Sequence, residues 1–134
     1  MPYTIGAVVS EAFTFNDTMF TYNISGTVTT ADVGKAVTLD SAAASTFKLT
    51  ANDDVVMGRL ETYEDRVTLG LKVGTVARRF KCKFPAAVGH SIVVGSAVDG
   101  SAVAGEVKLK VSQAEPKVNR VVEIGTDYVV VERL

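Results

Sequence analysis

Apolar and polar side chains alternate along most of the apolar segments of this chain, and turn residues separate one segment from the next. In the segment 75–84, Phe80, Cys82 and Phe84 fall on one face of an extended chain, while cations fall on the other. Side chains of a β-strand point alternately to its two sides, so this segment is predicted to be a strand with one packed and one hydrated face. The segment 106–111 alternates in the same way between lysine and valine or leucine.

Short β-branched or aromatic segments recur at a spacing that is typical of antiparallel β-proteins. The predicted strands are the segments 36–39, 47–49, 55–63, 67–73, 75–84, 91–94, 106–111, 120–124 and 128–132. Residues 30–34 are predicted to form a helical turn capped by Thr30 or Asp32, and residues 41–45 form either one short helix or a loop. The predicted fold class is all-β: a small β-barrel or β-sandwich of short antiparallel strands with an N-terminal β-hairpin or arm.

The N-terminal part of the chain is aromatic and lacks basic residues. The segment 13–24 is predicted to be a β-hairpin with its turn near Asn16 and Asp17. Its aromatic side chains are Phe13, Phe15, Phe20 and Tyr22. Because the composition changes near Lys35, we predict an N-terminal arm or hairpin over residues 1–34 and a β-barrel-like domain over residues 35–134.

The charge balance narrows the classes of partner. A formal net charge of −1 argues against a dedicated nucleic-acid-binding protein, because attraction to phosphates needs a concentrated positive field. Five acids lie between residues 53 and 65, whereas residues 66–98 carry six basic residues and no acid. No apolar segment approaches the roughly 18 residues of a membrane-spanning helix, and no signal peptide is visible. We therefore expect synthesis in a cytoplasm and no membrane partner.

The residues that could carry catalysis are few. The chain contains one cysteine, Cys82, and one histidine, His90. Cys82 lies on the apolar face of a predicted strand, where a thiol is inert, and His90 lies in a predicted turn. Metal-binding and phosphate-binding motifs are absent, and Asp53 and Asp54 match only a fragment of a calcium loop. We predict no catalytic residue, no cofactor, no metal and no enzymatic activity.

Two predicted surfaces could contact a partner. The first is the hydrated face of Arg79, Lys81 and Lys83, with Arg78 beside it. Such a face is either solvated or, in a barrel resembling the oligonucleotide-binding fold, a track for single-stranded nucleic acid or an oligosaccharide. The second is the aromatic hairpin, which is core if it lies against the barrel and a contact surface if it projects.

Several segments in order resemble the capsid decoration (cement) proteins of tailed bacteriophages. They are Asp32–Asp40, Asp53–Glu61, Val88–Gly95, Asn119–Glu123 and Val129–Arg133. The likeness lies in short strands that return to glycine turns, and it spans about residues 32–134. The first 31 residues have no counterpart in it, although in related cement proteins an N-terminal segment often reaches onto the shell.

The resemblance implies a structural protein of the virion that binds the outer surface of the capsid. It would stabilise the shell by bridging neighbouring subunits of the major capsid protein, and it would itself form a homotrimer. Such a role needs a rigid β-scaffold and outward contact surfaces but no chemistry. Many copies on a symmetric shell would gain avidity from weak individual contacts. The alternative hypothesis is the barrel that binds single-stranded nucleic acid or oligosaccharide through its basic strand face.

Overall fold

The structure is a computed structural model that describes residues 15–114 and 116–133, with the backbone alone for residues 15–18. The strands of this part are β1 (Phe15–Ile24), β2 (Ala36–Leu39), β3 (Thr46–Leu49), β4 (Gly58–Arg66), β5 (Leu71–Pro85), β6 (Val98–Gly100), β7 (Val107–Leu109), β8 (Arg120–Ile124) and β9 (Tyr128–Arg133). Two single-turn 3₁₀ helices, Thr30–Asp32 and Val67–Leu69, lie between them. The predicted all-β class is confirmed.

Five of the strands close into a ring. The main sheet has the order β1-β3-β2-β4-β5-β9-β8, and an additional pairing between β1 and β5 joins the ends of its first five strands. Strand β1 runs parallel to β3, whereas every other pairing in the sheet is antiparallel. Strands β6 and β7 form a separate two-stranded sheet. The molecule is therefore a small barrel whose sheet continues outward through β9 and β8.

The long strand β5 joins the ring to this extension. Its residues 73–81 pair with β1, residues 71–77 pair with β4 and residues 80–85 pair with β9. Because β1 overlaps both of the other partners, β4 and β9 must follow each other along the opposite edge of β5. The start of β4 and the end of β9 therefore meet beside the middle of β5.

Two hydrophobic clusters fill the molecule, and β5 contributes to both. The ring encloses Ile24, Val28, Val37, Phe47, Leu60 and Val76. The second cluster includes Ala77, Phe80, Cys82, Phe84, Val107, Val121, Val129 and Val131. The neighbours Val76 and Ala77 are both fully buried but belong to different clusters. Pairing shifts in β1 and β4 lie opposite this point, and such bulges re-aim the side chains of a sheet.

The helical turn predicted at residues 30–34 is present as the helix Thr30–Asp32, but its cap is Thr29. The backbone N–H of Thr29 donates to Oδ2 of Asp32 at 2.9 Å, and Lys35 Nζ donates to Oδ1 at 2.9 Å. Burial raises the pKa of Asp32, but the hydrogen bonds from Lys35 and Thr29 outweigh it and hold that pKa below its usual value. Residues 41–45 form turns and no helix.

Several boundaries predicted from the sequence are wrong. Residues Asn16 and Asp17 form no hairpin turn, because β1 is one continuous strand that takes up the irregularity as a bulge against β5. Most residues of the predicted strands 67–73 and 75–84 belong to one strand, β5. The first residues of the predicted strand 67–73 form the 3₁₀ helix Val67–Leu69 in the turn before β5. Residues 91–94 form an irregular loop, and the short strand β6 was missed.

The predicted arm shares its packing with the predicted domain. Ile24 and Val28 lie in the same cluster as Val37 and Phe47. The division at residues 34 and 35 stays a prediction, and residues 1–14 lie outside the described part of the chain. In the described residues, no helix is long and apolar enough to cross a membrane.

Candidate functional site

The predicted basic strip lies on the outer face of β5. Arg79 and Lys83 are exposed and Lys81 is half-buried, while the intervening side chains are fully buried. Lys81 stands directly opposite Glu132 of β9, which in turn stands opposite Arg120 of β8. Side chains that face each other across antiparallel strands share one face of the sheet. The strip is therefore one column of a mixed-charge surface and not a continuous positive track.

Lys83, at the far end of the strip, stacks on an aromatic ring. Its Nζ lies 4.1 Å from the centroid of the Tyr128 ring, which is a cation–π contact. Both residues line a cleft of about 350 Å³ together with Lys35 and Arg59. Lys35 is paired with Asp32, and Arg59 with Glu61 at 2.8 Å. The cations of this cleft are thus already engaged within the protein.

Arg78 does not belong to the basic strip, because its side chain lies at the end of the ring. Its Nη1 donates to the Tyr22 hydroxyl at 3.1 Å, and its Nε donates to the carbonyl oxygen of Met57 at 3.2 Å. Its guanidinium carbon also lies 5.4 Å from the centroid of the Phe47 ring. Arg78 therefore faces the side of β5 opposite to Arg79, as strand alternation requires.

The described aromatic side chains of the predicted hairpin do not form one contact surface. Tyr22 packs on Phe47, with 4.6 Å between ring centroids, and belongs to the core of the ring. Phe20 touches Tyr22 edge-on but leaves 55% of its surface exposed. Phe13 lies outside the described residues, and Phe15 is described by its backbone only. Of this set, Phe20 is the residue whose described side chain is mostly exposed.

The turn between β4 and β5 presents an apolar tip that the sequence analysis missed. Val67, Leu69 and Leu71 are 77%, 65% and 43% exposed. Gly70 adopts a left-handed conformation with φ of 66°, which reverses the chain without strain. Because Val67 and Leu69 leave most of their surface exposed within the described chain, they are available to another molecule. The unusual signal in the sequence was a run of apolar residues around a turn glycine.

A second apolar surface lies on the loop between β5 and β6. Val88, Val93 and Val94 are exposed there, and residues 84–98 carry no Asp, Glu, Lys or Arg. Backbone hydrogen bonds tie the loop to β8, from Gly95 N to Val121 O at 2.8 Å and from Val121 N to Ser96 O at 2.8 Å. These bonds hold the exposed valines at a fixed place along β8.

His90 and Cys82, the two residues considered for nucleophilic chemistry, have roles in holding the fold together. The backbone N–H of Ile92 donates to Nδ1 of His90, so Nε2 carries the proton and donates to the carbonyl of Gly125 at 2.7 Å. Cys82 is fully buried in the second cluster, and burial raises its pKa to about 12. Within the described residues, no group of three or more His, Cys, Asp or Glu side chains is placed to hold a metal ion.

Cys82 is expected to resist alkylation until the protein unfolds. A rise in its pKa from 9.0 to about 12 lowers the thiolate fraction at pH 8 about a thousandfold. Iodoacetamide labelling followed by mass spectrometry should therefore be slow in native buffer and rapid in concentrated urea. Labelling at equal rates in both would show that the second cluster opens readily.

The candidate contact residues of the structure are therefore exposed side chains on its surface. Cys82 is buried in the core, and His90 is hydrogen-bonded to the backbone. Lys83 contacts Tyr128, Arg78 binds Tyr22 and Met57 at the end of the ring, and Phe20 and the apolar tip are exposed. No protein-family model, curated protein or solved structure matches this chain.

Proposed function

We propose that this protein is a non-enzymatic structural protein of a bacteriophage virion. In this proposal it binds the outer surface of the capsid and bridges neighbouring major capsid protein subunits. The proposal includes self-association as a homotrimer, and it rests on the sequence resemblance together with the surface of the fold.

The observation that carries the proposal is the apolar tip of Val67, Leu69 and Leu71. A soluble protein gains nothing from exposing three large apolar side chains on a projecting turn unless another surface covers them. The tip extends from two paired strands, β4 and β5, so it is presented on a rigid support. A rigid apolar projection needs little ordering on binding and is suited to a contact between subunits.

The outward distribution of contacts also suits a cement role. The tip lies at the turn between β4 and β5, whereas the exposed valines of the loop 86–97 lie beside β8, an edge strand that β9 separates from β5. Two apolar surfaces on different strands of one rigid sheet can engage two neighbours at once. Bridging of this kind stabilises a shell even when each contact is weak.

The test is binding to phage heads that lack the protein. The double variant Val67→Ser with Leu69→Ser should bind such heads at least about 30-fold more weakly, because burying each apolar side chain contributes roughly 1–2 kcal/mol. Bound copies can be counted by sedimentation and gel densitometry. Heads saturated with the original protein should also resist heating better than bare heads.

The matched control is Val111→Ser, because Val111 is 85% exposed and lies on a different loop. Its binding should equal that of the original protein. If the tip variant bound heads as tightly as the original protein, the tip would not be part of the contact. Failure of the original protein to bind or stabilise any head would contradict the proposed function itself.

Binding of single-stranded nucleic acid or oligosaccharide is the weaker candidate. A ring of five strands suits such a ligand, but Glu132 stands beside Lys81 of the basic strip, and Lys83 is engaged with the ring of Tyr128. Phe80 and Phe84 are fully buried on the opposite face, so they form no stacking platform beside the cations. The geometry therefore favours a protein contact.

A further inference from the structure

Two arginines converge where the start of β4 meets the end of β9. The carbonyl oxygen of Met57, just before β4, accepts hydrogen bonds from Arg78 Nε at 3.2 Å and from Arg133 Nη1 at 2.6 Å. Arg78 comes from the middle of β5, and Arg133 is the last residue of β9. One neutral oxygen therefore holds two cations side by side.

No described carboxylate neutralises this pair. None of the ion pairs in residues 15–114 and 116–133 includes Arg78 or Arg133, and both side chains are half-buried. Burial lowers the pKa of Arg133, and the neighbouring charge of Arg78 lowers it further. Two like charges held together outside bulk water are costly unless an anion joins them. The fold maintains the arrangement through backbone and hydroxyl acceptors instead.

The described residues accept only a few of the hydrogen bonds that this pair can donate. Each guanidinium has five N–H donors, yet Arg133 uses one on Met57, and Arg78 uses one on Met57 and one on Tyr22. Planar guanidinium groups bind carboxylates through two parallel hydrogen bonds. Two such groups around one point make a receptor for a single oxyanion.

We propose that Arg78 and Arg133 form a binding site for the carboxylate of an acidic side chain from a protein partner. A pair of guanidinium groups fits a single carboxylate better than a polyanion, because a polyanion needs a series of cations along its path and the strip of Arg79, Lys81 and Lys83 lies on the opposite face of β5. That the partner is a capsid subunit rests on the proposed function. The carboxylate site itself does not depend on it.

The experiment is a titration with acetate, with chloride adjusted to hold the ionic strength constant. Side-chain Nε–Hε signals of ¹⁵N-labelled arginine should shift and saturate together for Arg78 and Arg133, with a Kd on the order of 1–10 mM. The exposed Arg120 should show no saturable shift. In the variant Arg133→Gln the saturable shift of Arg78 should disappear, whereas Arg120→Gln should leave it intact.

Uniform, non-saturating shifts of all arginines would overturn the site, and the titration of the original protein gives this answer even if the variant folds poorly. Tighter binding of a 12-nucleotide thymidine strand through the same two residues would overturn the carboxylate assignment in favour of phosphate. Head binding without an acetate site would remove this inference and leave the proposed function standing. An acetate site in a protein that binds no head would contradict the proposed function and leave the carboxylate site standing.

Discussion

Replacing Phe80 with alanine is expected to lower the free energy of unfolding by about 3–5 kcal/mol. Phe80 is fully buried in the second cluster, and its ring packs edge-on against Phe84 with 5.3 Å between centroids. Its removal leaves a cavity at the point where β5 passes from the barrel to β9. Because domains of this size have about 5–15 kcal/mol of stability in all, the loss is a large part of the total.

The control for this prediction is Phe20→Ala, which removes the same side chain from the same sheet. Phe20 is 55% exposed, so its loss should change the free energy of unfolding by less than about 1 kcal/mol. Urea unfolding followed by far-UV circular dichroism measures both variants. Equal effects would mean that Phe20 is covered in solution or that Phe80 is not a core residue.

The alternation along β5 was predictable because it depends on the period of a strand alone. Phe80, Cys82 and Phe84 are buried, and the intervening cations face outward, as their order in the sequence indicates. The position of Arg78 follows from the same period. The partners of Arg78 were not predictable, because Tyr22 in β1 and Met57 just before β4 are distant in the sequence and reach it only through the closure of the ring.

The hairpin error at Asn16 and Asp17 shows how pairing overrides local preference. Asn-Asp is a favoured turn dipeptide, and the flanking aromatic residues alternate as two short strands would. In the structure β5 is long enough to pair with residues 15–23, and a bulge accommodates the irregular residues. The sequence contains no local sign of the length of a partner strand that begins about 50 residues later.

The contact surfaces were less predictable than the fold. Burial of the valines in β9 and exposure of Val88, Val93 and Val94 arise from similar sequence patterns. The buried valines differ from the exposed ones only because β8 and β9 pack against the second cluster. Likewise, the charge of Lys81 looked like part of a basic strip until the register placed Glu132 beside it.

Replacing Gly74 with alanine is expected to destabilise the barrel by about 3 kcal/mol. Gly74 lies in β5 between Tyr22 of β1 and Tyr63 of β4. A Cβ atom there would lie 2.5 Å from the carbonyl oxygen of Thr62, and 3.1 Å from side-chain atoms of Ile24 and Leu60. The clash with backbone cannot be relieved by a rotamer change, so β4 and β5 must separate.

Gly26→Ala is the matched control, because a Cβ atom at Gly26 has no neighbour within 4 Å. Its effect on the free energy of unfolding, measured by urea unfolding, should stay within about 0.5 kcal/mol. If Gly74→Ala proved equally mild, β4 and β5 would be loosely joined there, and the strand pair that carries the apolar tip would not be a rigid support. The barrel's closure and the presentation of Val67 and Leu69 therefore depend on the same close approach of two backbones.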